Sequence, residues 1–240
     1  MRVLALASHK GGSGKTTLAG HLAVQAERAG FGPAVLIDID PQGSLADWWN
    51  GRKAEMPAFA QTTVARLQND LEALRVQGFR LAVIDTPPAL ALAIESAIAV
   101  AELVAVPVRP SPHDLGAAGA MIDLCERTGK PLIFVINGAT PRIEINQQVA
   151  MALSQYGTVA PVILHHSHEF ATLMADGRTV MEIWPEGDGA REVEELWHHM
   201  SDRLERHFRR ATFAASGGGP IAAQRGAAGG FGRKASAGQP

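Results

Sequence analysis

The sequence contains a single cysteine, Cys125, among its 240 residues. One cysteine excludes an internal disulfide framework and is consistent with a reducing cytoplasm. No apolar run approaches the roughly 20 residues that a membrane-spanning helix requires. The N-terminal MRVLALAS is too short for a signal peptide, so we interpret it as a buried strand. The composition, with 46% hydrophobic and 19% charged residues, is that of a globular protein.

Charge is scarce but unevenly distributed, because the formal net charge of −2 conceals a basic C-terminal end. Residues 201–240 contain seven lysines and arginines against two acidic residues, so the rest of the chain is acidic. A basic end on an acidic body indicates a polyanionic partner. A solvated helix end followed by a soluble tail is the alternative interpretation.

Short apolar segments alternate with longer segments of helical period. The apolar segments are rich in Val, Ile and Leu without polar alternation, which is typical of strands covered on both faces. These strand candidates are residues 3–7, 34–39, 81–84, 103–108, 132–136 and 159–164. The helix candidates between them are 15–28, 64–77, 91–99, 116–127 and 144–156. The alternation predicts an α/β fold: a single domain with a mostly parallel, twisted sheet and helices on both faces.

A final helix is predicted over residues 190–209. Its apolar stripe, spaced by three and four residues, consists of Val193, Leu196, Trp197, Met200, Leu204 and Phe208. Packing of this stripe on the sheet is favoured over a membrane-surface helix, because the acidic first half would be repelled by anionic lipid. The sequence then becomes rich in Gly and Ala. We therefore expect a folded domain over 1–210 and a flexible, basic tail over 211–240.

A glycine-rich segment, KGGSGKTT at residues 10–17, follows the first predicted strand and leads into the first predicted helix. Glycines let backbone N–H groups turn toward phosphate oxygens at a helix N-terminus, so this context predicts a nucleotide site. Lys15 would reach the β- and γ-phosphates, and the Thr16 hydroxyl would hold Mg²⁺. The usual first glycine of the Walker A pattern is absent, so the loop is a variant. The predicted phosphate-binding residues are Gly11, Gly12, Ser13, Gly14, Lys15, Thr16 and Thr17.

Three aspartates mark the ends of two other predicted strands. Asp85 ends the apolar run LAVID, while Asp38 and Asp40 lie at the end of strand 34–39. The spacing of two places Asp38 and Asp40 on the same side of that strand. One acidic strand end is compatible with a structural role. Three of them beside a phosphate loop are better explained by a hydrated cation and an attacking water.

In these features the chain resembles the ParA/MinD group of ATPases. Residues 10–17 match that group's deviant phosphate loop, KGGxGKT[TS], at every fixed position. DIDPQG at 38–43 is similar to the DxDPQG element of the partition branch, and IDTPP at 84–88 to its Walker B segment. PSPHDL at 110–115 resembles its PSPxDL stretch. The likeness covers roughly residues 1–208. It is greatest to the small ParF-like type, because the chain starts directly at the phosphate-loop strand, without the helix-turn-helix region of larger members.

The resemblance implies roles for individual residues. Lys10 corresponds to the signature lysine, which reaches across a nucleotide-sandwich dimer to the partner's ATP, while Lys15 binds the chain's own ATP. Asp40 is expected to orient the attacking water. Asp85 would support Mg²⁺ through water, with Asp38 near the metal. Asn137, after strand 132–136, matches the asparagine that recognises adenine, although Asn137-Gly138 is also a common turn pair.

The function implied is that of a slow ATPase that dimerises on ATP, requires Mg²⁺ and binds nucleoid DNA nonspecifically. It would position a plasmid, chromosome or protein cluster, and a small adaptor of the ParB or ParG type would stimulate hydrolysis. The expected location is the cytoplasm, on the nucleoid. The candidate DNA contacts, whose charge suits phosphates of any sequence, are Arg178, Arg203, Arg206, Arg209 and Arg210.

Other functions fit the sequence less well. A MinD-like membrane cycle is disfavoured, and no membrane anchor is expected, because residues 214–240 contain only Ile221 and Phe231 as large apolar residues. A reductase or metal-delivery ATPase related to the nitrogenase iron protein would need paired cysteines, which Cys125 alone does not supply. A nucleotide kinase would need an Arg-rich lid and a second phosphate pocket, neither of which is evident.

Overall fold

The computed structural model describes residues 1–88 and 90–215, with the side chains of 207–215 outside that description. The strands are β1 (Arg2–Leu6), β2 (Ala34–Asp38), β3 (Ala58–Gln61), β4 (Leu81–Asp85), β5 (Leu103–Val108), β6 (Leu132–Ala139), β7 (Thr158–Val159) and β8 (Leu164–His165). The helices are α1 (Lys15–Arg28), α2 (Ser44–Asn50), α3 (Leu67–Val76), α4 (Ala91–Val100), α5 (Pro112–Thr128), α6 (Ile145–Ser154), α7 (His168–Met174), α8 (Val180–Ile183) and α9 (Asp188–Ala215).

The strands form one parallel sheet in the order β3-β2-β4-β1-β5-β6-β7, with β8 also paired to β6. The register places Asp38 of β2 and Leu6 of β1 on either side of Asp85 in β4. Because all the strands run in one direction, their C-terminal ends share one edge, where α/β folds bind ligands. The predicted α/β architecture is confirmed.

A hydrophobic core lies on each face of the sheet. Leu4 and Leu6 of β1 join a core built with α1, α2, α8 and α9. Their neighbours Val3 and Ala5 join the opposite core, built with α3, α4, α5 and α6. Successive strand residues point to opposite faces, so burial of both faces explains the absence of polar alternation in the strands.

The C-terminal helix α9 packs with its apolar stripe against α1 and the sheet, as predicted. Five stripe residues, from Val193 to Leu204, are at most 3% exposed, and Trp197 meets Phe31 edge-on at 5.3 Å. The sixth, Phe208, lies outside the described side chains. The helix continues to Ala215, past the predicted domain end at 210. The rest of the predicted tail, 216–240, lies outside the described residues. Within the described part, none of the helices combines the length and apolar character that crossing a bilayer requires.

The prediction of one strand over 159–164 is wrong. Two short strands, β7 and β8, pair with different parts of β6, since Thr158 lies opposite Ile133 and Leu164 opposite Asn137. Pro161 lies between them and has no N–H for a ladder hydrogen bond, which accounts for the interruption.

Helix α5 begins at Pro112, four residues before the predicted start at 116. Ser111 caps it, since its Oγ accepts a hydrogen bond from the Asp114 N–H at 3.1 Å and donates to Asp114 Oδ2 at 2.6 Å. Proline at the first helical position suits this start, because its missing N–H has no intrahelical partner there. The PSPHDL stretch is therefore a helix N-terminus.

His21 in α1 is fully buried and joins that helix to α8. Its Nδ1 lies 2.8 Å from the Thr17 carbonyl oxygen, and its Nε2 accepts a hydrogen bond from the Val180 N–H at 3.3 Å. A carbonyl only accepts, so Nδ1 carries the proton of a neutral ring. Burial lowers the pKa of His21 to about 4, below its ordinary value of 6.5. Protonation would place an N–H against the Val180 N–H.

We expect this histidine to make the folded state acid-sensitive. The contribution of neutral His21 to the free energy of unfolding is complete above about pH 6.5. It is lost as the pH falls toward about 4, because the unfolded chain binds the proton first. The loss amounts to about 3 kcal/mol. Urea unfolding at several pH values from 7 to 4 gives the free energy of unfolding of wild type and of His21→Asn. The difference between the two proteins isolates the effect of His21, because the titrations of all other groups cancel. If the free energy of unfolding fell in parallel with pH for the two proteins, His21 would not be the source of acid sensitivity.

Candidate nucleotide-binding site

A cavity of about 530 Å³ opens at the C-terminal edge of the sheet, between the β1–α1 loop and the loop after β2. Six of the seven loop residues predicted to bind phosphate supply one wall, and Asp40 supplies part of the other. The seventh, Ser13, is buried and does not line the cavity. The cavity-lining residues are Gly11, Gly12, Gly14, Lys15, Thr16, Thr17, Asp40, Gln42, Ser44, Pro88, Arg109 and Met174.

The start of α1 presents unpaired backbone donors to this cavity. The first hydrogen bond of the helix runs from the Leu18 N–H to the Gly14 carbonyl oxygen at 2.9 Å. The amides of Lys15, Thr16 and Thr17 therefore have no partner within the helix. Together with the helix dipole, these donors make a phosphate-binding end.

Gly14 is required by a close approach of Asn137. A Cβ on Gly14 would lie 2.1 Å from Asn137 Nδ2, and the glycine has a φ of +98°, so a side chain there would be strained and would displace the Asn137 amide. Asn137 Nδ2 donates to the Ser13 carbonyl oxygen at 2.7 Å. The structure thus brings Asn137 against the phosphate loop, with its amide donor holding the loop in place. Its adenine contact stays a prediction.

The two lysines of the loop differ in exposure. Lys15 is 7% exposed, and its Nζ donates to the Lys10 carbonyl oxygen at 3.3 Å. Burial lowers the pKa of Lys15, while the charges of Asp85 and Asp40 oppose that shift. Lys10 lies exposed on the rim of the loop. One loop therefore holds a cation inside the cavity and another where a second molecule can reach it.

Asp85 and Thr16 form the group suited to Mg²⁺. Thr16 Oγ1 donates to Asp85 Oδ2 at 2.6 Å, whereas the buried Asp85 Oδ1 has no hydrogen-bond partner in the described structure. Burial raises the pKa of Asp85 to about 7, although the Thr16 hydrogen bond opposes this. A hydrated cation beside Thr16 would supply both a partner and positive charge.

The described residues contain no cluster of three or more His, Cys, Asp or Glu placed to hold a metal. Mg²⁺ keeps several waters and is commonly bound by one or two protein oxygens plus substrate phosphates. The hydroxyl and unpartnered carboxylate oxygen therefore fit Mg²⁺ that arrives with a nucleotide. In that arrangement the metal would neutralise phosphate charge.

Asp38 and Asp40 lie in different surroundings, although their spacing predicts the same side of one strand. Strand β2 ends at Asp38, so Asp40 lies in the following loop. Asp38 accepts hydrogen bonds from the N–H groups of Asp40 at 2.9 Å and Ala46 at 3.2 Å, and thereby holds the loop and the start of α2. It does not line the phosphate cavity, but it lies opposite Asp85 in the register. Asp40 faces the cavity, and its Oδ1 accepts from the Gln42 N–H at 3.0 Å.

Helix α2 anchors the Asp40 loop to the body of the protein. Trp48 is 2% exposed, its ring packs on Gly20 of α1, and its Nε1 donates to the Arg178 carbonyl oxygen at 3.2 Å. One turn further, Arg52 forms a bidentate ion pair with Glu182 of α8, with Nη2 donating to Oε1 at 2.8 Å and Nη1 to Oε2 at 3.1 Å. The position of Asp40 is therefore tied to the segment that contains α7 and α8.

The sequence analysis gives no site role to five of the cavity residues, although two of them lie within the matched segments 38–43 and 84–88: Gln42, Ser44, Pro88, Arg109 and Met174. Gln42, Pro88 and Arg109 follow the ends of β2, β4 and β5, so the rule that ligands bind at strand C-termini could have found them. Met174 ends the unpredicted helix α7, and the pattern contains no signal for it.

The structure describes the side chains of three of the five candidate DNA-contacting arginines, and these three differ in their partners. Arg178 is ion-paired with Asp176 between α7 and α8. Arg203 of α9 donates to Thr158 Oγ1 at 3.0 Å and to His199 Nε2 at 3.2 Å, so it is partly structural. Arg206 is exposed one turn later. The side chains of Arg209 and Arg210 lie outside the described part.

The comparisons with known proteins agree on a family. The model of the CobQ/CobB/MinD/ParA nucleotide binding domain matches residues 4–180. Maintenance of carboxysome distribution protein A from Gloeobacter kilaueensis is 33% identical over 226 residues, which cover 87% of this chain and 96% of the relative. The chromosome-partitioning ATPase Soj from Thermus thermophilus is 30% identical over 244 residues, covering 85% and 97% of the two chains.

Solved structures share the fold at low identity. The septum site-determining protein MinD from Pyrococcus horikoshii, complexed with Mg-ADP, has a TM-score of 0.68 at 16% identity and covers 83% of this chain and 95% of its own. The Cyanothece McdA–ATP complex has a TM-score of 0.65 at 17% identity, with coverages of 85% and 96%. These likenesses concern the fold alone. The family match and the curated relatives establish that the chain belongs to the CobQ/CobB/MinD/ParA family, as one of its ParA/MinD-type P-loop ATPases.

Proposed function

We propose that this protein is a ParA-type ATP hydrolase that dimerises on ATP, binds nucleoid DNA nonspecifically and positions a cargo. Hydrolysis, which returns the dimer to monomers, is slow until a small adaptor of the ParB or ParG type stimulates it. The protein acts in the cytoplasm, on the nucleoid. Its cofactors are ATP and Mg²⁺.

The observation that carries this proposal is the contrast between the two lysines of one loop. Lys15 is buried against the cavity, where it serves the bound nucleotide, whereas Lys10 is exposed on the rim. An exposed cation beside a phosphate site can act on a nucleotide held by a second molecule, much as an arginine finger does. ATP thereby becomes the switch for dimerisation.

The chemistry follows from the other wall of the cavity. Asp40 faces the phosphate loop across the cavity and would orient the water that attacks the γ-phosphate. Thr16 and Asp85 would hold hydrated Mg²⁺ against the phosphates, and Lys15 would stabilise the charge that develops on them. Asp38 fixes the loop that carries Asp40, through two backbone amides.

The named relatives support a positioning role and a range of cargoes. Two carry the name of a carboxysome distribution protein, one that of a chromosome-partitioning ATPase and one that of ParA from Rhizobium radiobacter.

ATP turnover measured with and without DNA, and with a candidate adaptor, tests the proposal. Acceleration by DNA and adaptor together is expected, whereas phosphorylation of a small substrate in their absence would refute it.

DNA binding by the ATP-bound protein is expected to weaken steeply as salt rises, because phosphate contacts release counterions. Replacing exposed Arg206 by alanine should reduce the slope of log affinity against log salt by about one. Arg191→Ala, at the other end of α9, is the matched control and should leave the slope unchanged. Fluorescence anisotropy with labelled duplexes of unrelated sequence gives these slopes, and a flat salt response would refute nonspecific DNA binding.

A MinD-like membrane cycle gains no support from the described residues. In the apolar stripe of α9, the candidate for a membrane-surface helix, the five described side chains are buried against α1 and the sheet. The likeness to MinD structures at 14–18% identity concerns the fold.

A further inference from the structure

Arg109 is a basic residue of the nucleotide cavity to which the mechanism above gives no role. It follows β5 directly, is exposed and lines the cavity together with the phosphate loop. In residues 1–88 and 90–215, no ion pair or side-chain hydrogen bond engages its guanidinium group. It therefore differs from Arg178, whose charge is paired with a neighbouring aspartate.

Two glycines define the position of this side chain. Arg109 Nη2 lies 3.9 Å from the point that a Cβ on Gly12 would occupy, and its Nε lies 3.9 Å from the same point on Gly138. Gly12 belongs to the phosphate loop, and Gly138 follows Asn137. The side chain thus lies close both to the phosphate-binding loop and to Gly138, the neighbour of the residue predicted to recognise adenine.

The charges of the cavity favour an additional donor to phosphate. Lys15, the buried cation, has Asp85 and Asp40 beside it. A nucleotide adds several negative charges to these carboxylates. A guanidinium group carries several N–H donors in a planar fork that matches phosphate oxygens, and one without a carboxylate partner is available for them.

We propose that Arg109 donates hydrogen bonds to the phosphate chain of the nucleotide bound in its own subunit. This inference rests on the proposed nucleotide-binding function and adds a further binding residue to it. Contacts of this exposed side chain to a partner subunit's nucleotide, or to DNA phosphates, are the outcomes that the following test distinguishes from this one.

ADP affinity tests this directly, because ADP does not drive dimerisation in the proposed cycle and so reports on one subunit. Calorimetry with Mg²⁺ and ADP is expected to show about 10-fold weaker binding for Arg109→Gln, and a smaller loss for Arg109→Lys. The ratio between wild type and Arg109→Gln should shrink as salt rises, as expected for a screened ionic contact. Arg142→Gln, in the exposed loop after β6, removes the same charge outside the cavity and should bind ADP normally.

Unchanged ADP affinity in Arg109→Gln would overturn the inference, whatever happens to ATP-dependent dimerisation or DNA binding. A loss that stays constant with salt would also overturn it, because stacking on the base or a structural defect would then be the cause. The two proposals fail in distinguishable ways. If wild type binds no ADP, both are refuted, whereas if wild type binds ADP and Arg109→Gln binds equally well, only the role of Arg109 is refuted.

Discussion

Lys15→Ala is expected to abolish ATP-dependent dimerisation and to weaken ATP binding about 100-fold or more. The substitution removes the one buried cation among the described residues that line the phosphate cavity, and charge-assisted hydrogen bonds to phosphate are among the stronger ones in proteins. It also frees the Lys10 carbonyl oxygen, which Lys15 Nζ contacts at 3.3 Å. Equilibrium titration with a fluorescent ATP analogue measures affinity, and light scattering with ATP measures mass.

Lys130→Ala is the matched control for this variant. Lys130 is half-buried and, like Lys15, donates to a backbone carbonyl, that of Ala101 at 2.9 Å, but it precedes β6 at the opposite edge of the sheet. We expect it to bind ATP and dimerise like wild type. Normal ATP binding by folded Lys15→Ala would refute the assignment of this lysine to the phosphates.

Asp40→Ala is expected to give the opposite result, a dimer that forms with ATP and persists because hydrolysis stops. Loss of the group that orients the water should slow turnover about 100-fold or more. Binding should survive, because Lys15 and the amides of α1 are untouched. Phosphate release measures turnover, and light scattering over time measures dimer lifetime.

Two further variants separate the chemistry of Asp40 from its structural contact. Asp40→Asn retains an acceptor for the Gln42 N–H, which Asp40 Oδ1 contacts at 3.0 Å, and should still fail to hydrolyse ATP. Asp47→Ala, on the exposed side of α2, should turn over ATP at the wild-type rate. Wild-type turnover in Asp40→Asn would mean that the aspartate only shapes its loop.

Much of the fold could be predicted because burial on both faces leaves a clear sequence pattern. The strands before and after α1 are uninterrupted apolar runs, and the KGGSGKTT loop lies between a strand and a helix in the structure as in the pattern. The same logic predicted Asp85 close to the phosphate loop, where Thr16 contacts it, since it ends a central strand that pairs with both β1 and β2.

The parts that could not be predicted depend on contacts between distant segments. Helix α2 has seven residues, too few for a clear period, and it is held by Asp38 and by Trp48 packing on Gly20. The single strand predicted over 159–164 is wrong because the apolar residues continue across Pro161, whereas pairing with β6 is interrupted there. Arg109 is an isolated charge in the sequence, and it reaches the phosphate loop because β5, which it follows, pairs with β1, which the loop follows.

The claim that ATP acts as a dimerisation switch is tested most directly by the molar mass of the wild-type chain in solution. The chain has a mass of 25.4 kDa, so light scattering separates monomer from dimer without ambiguity. We expect twice this mass with Mg²⁺ and ATP, and the monomer mass with Mg²⁺ and ADP or without nucleotide. A mass that is the same in all three conditions would contradict the account.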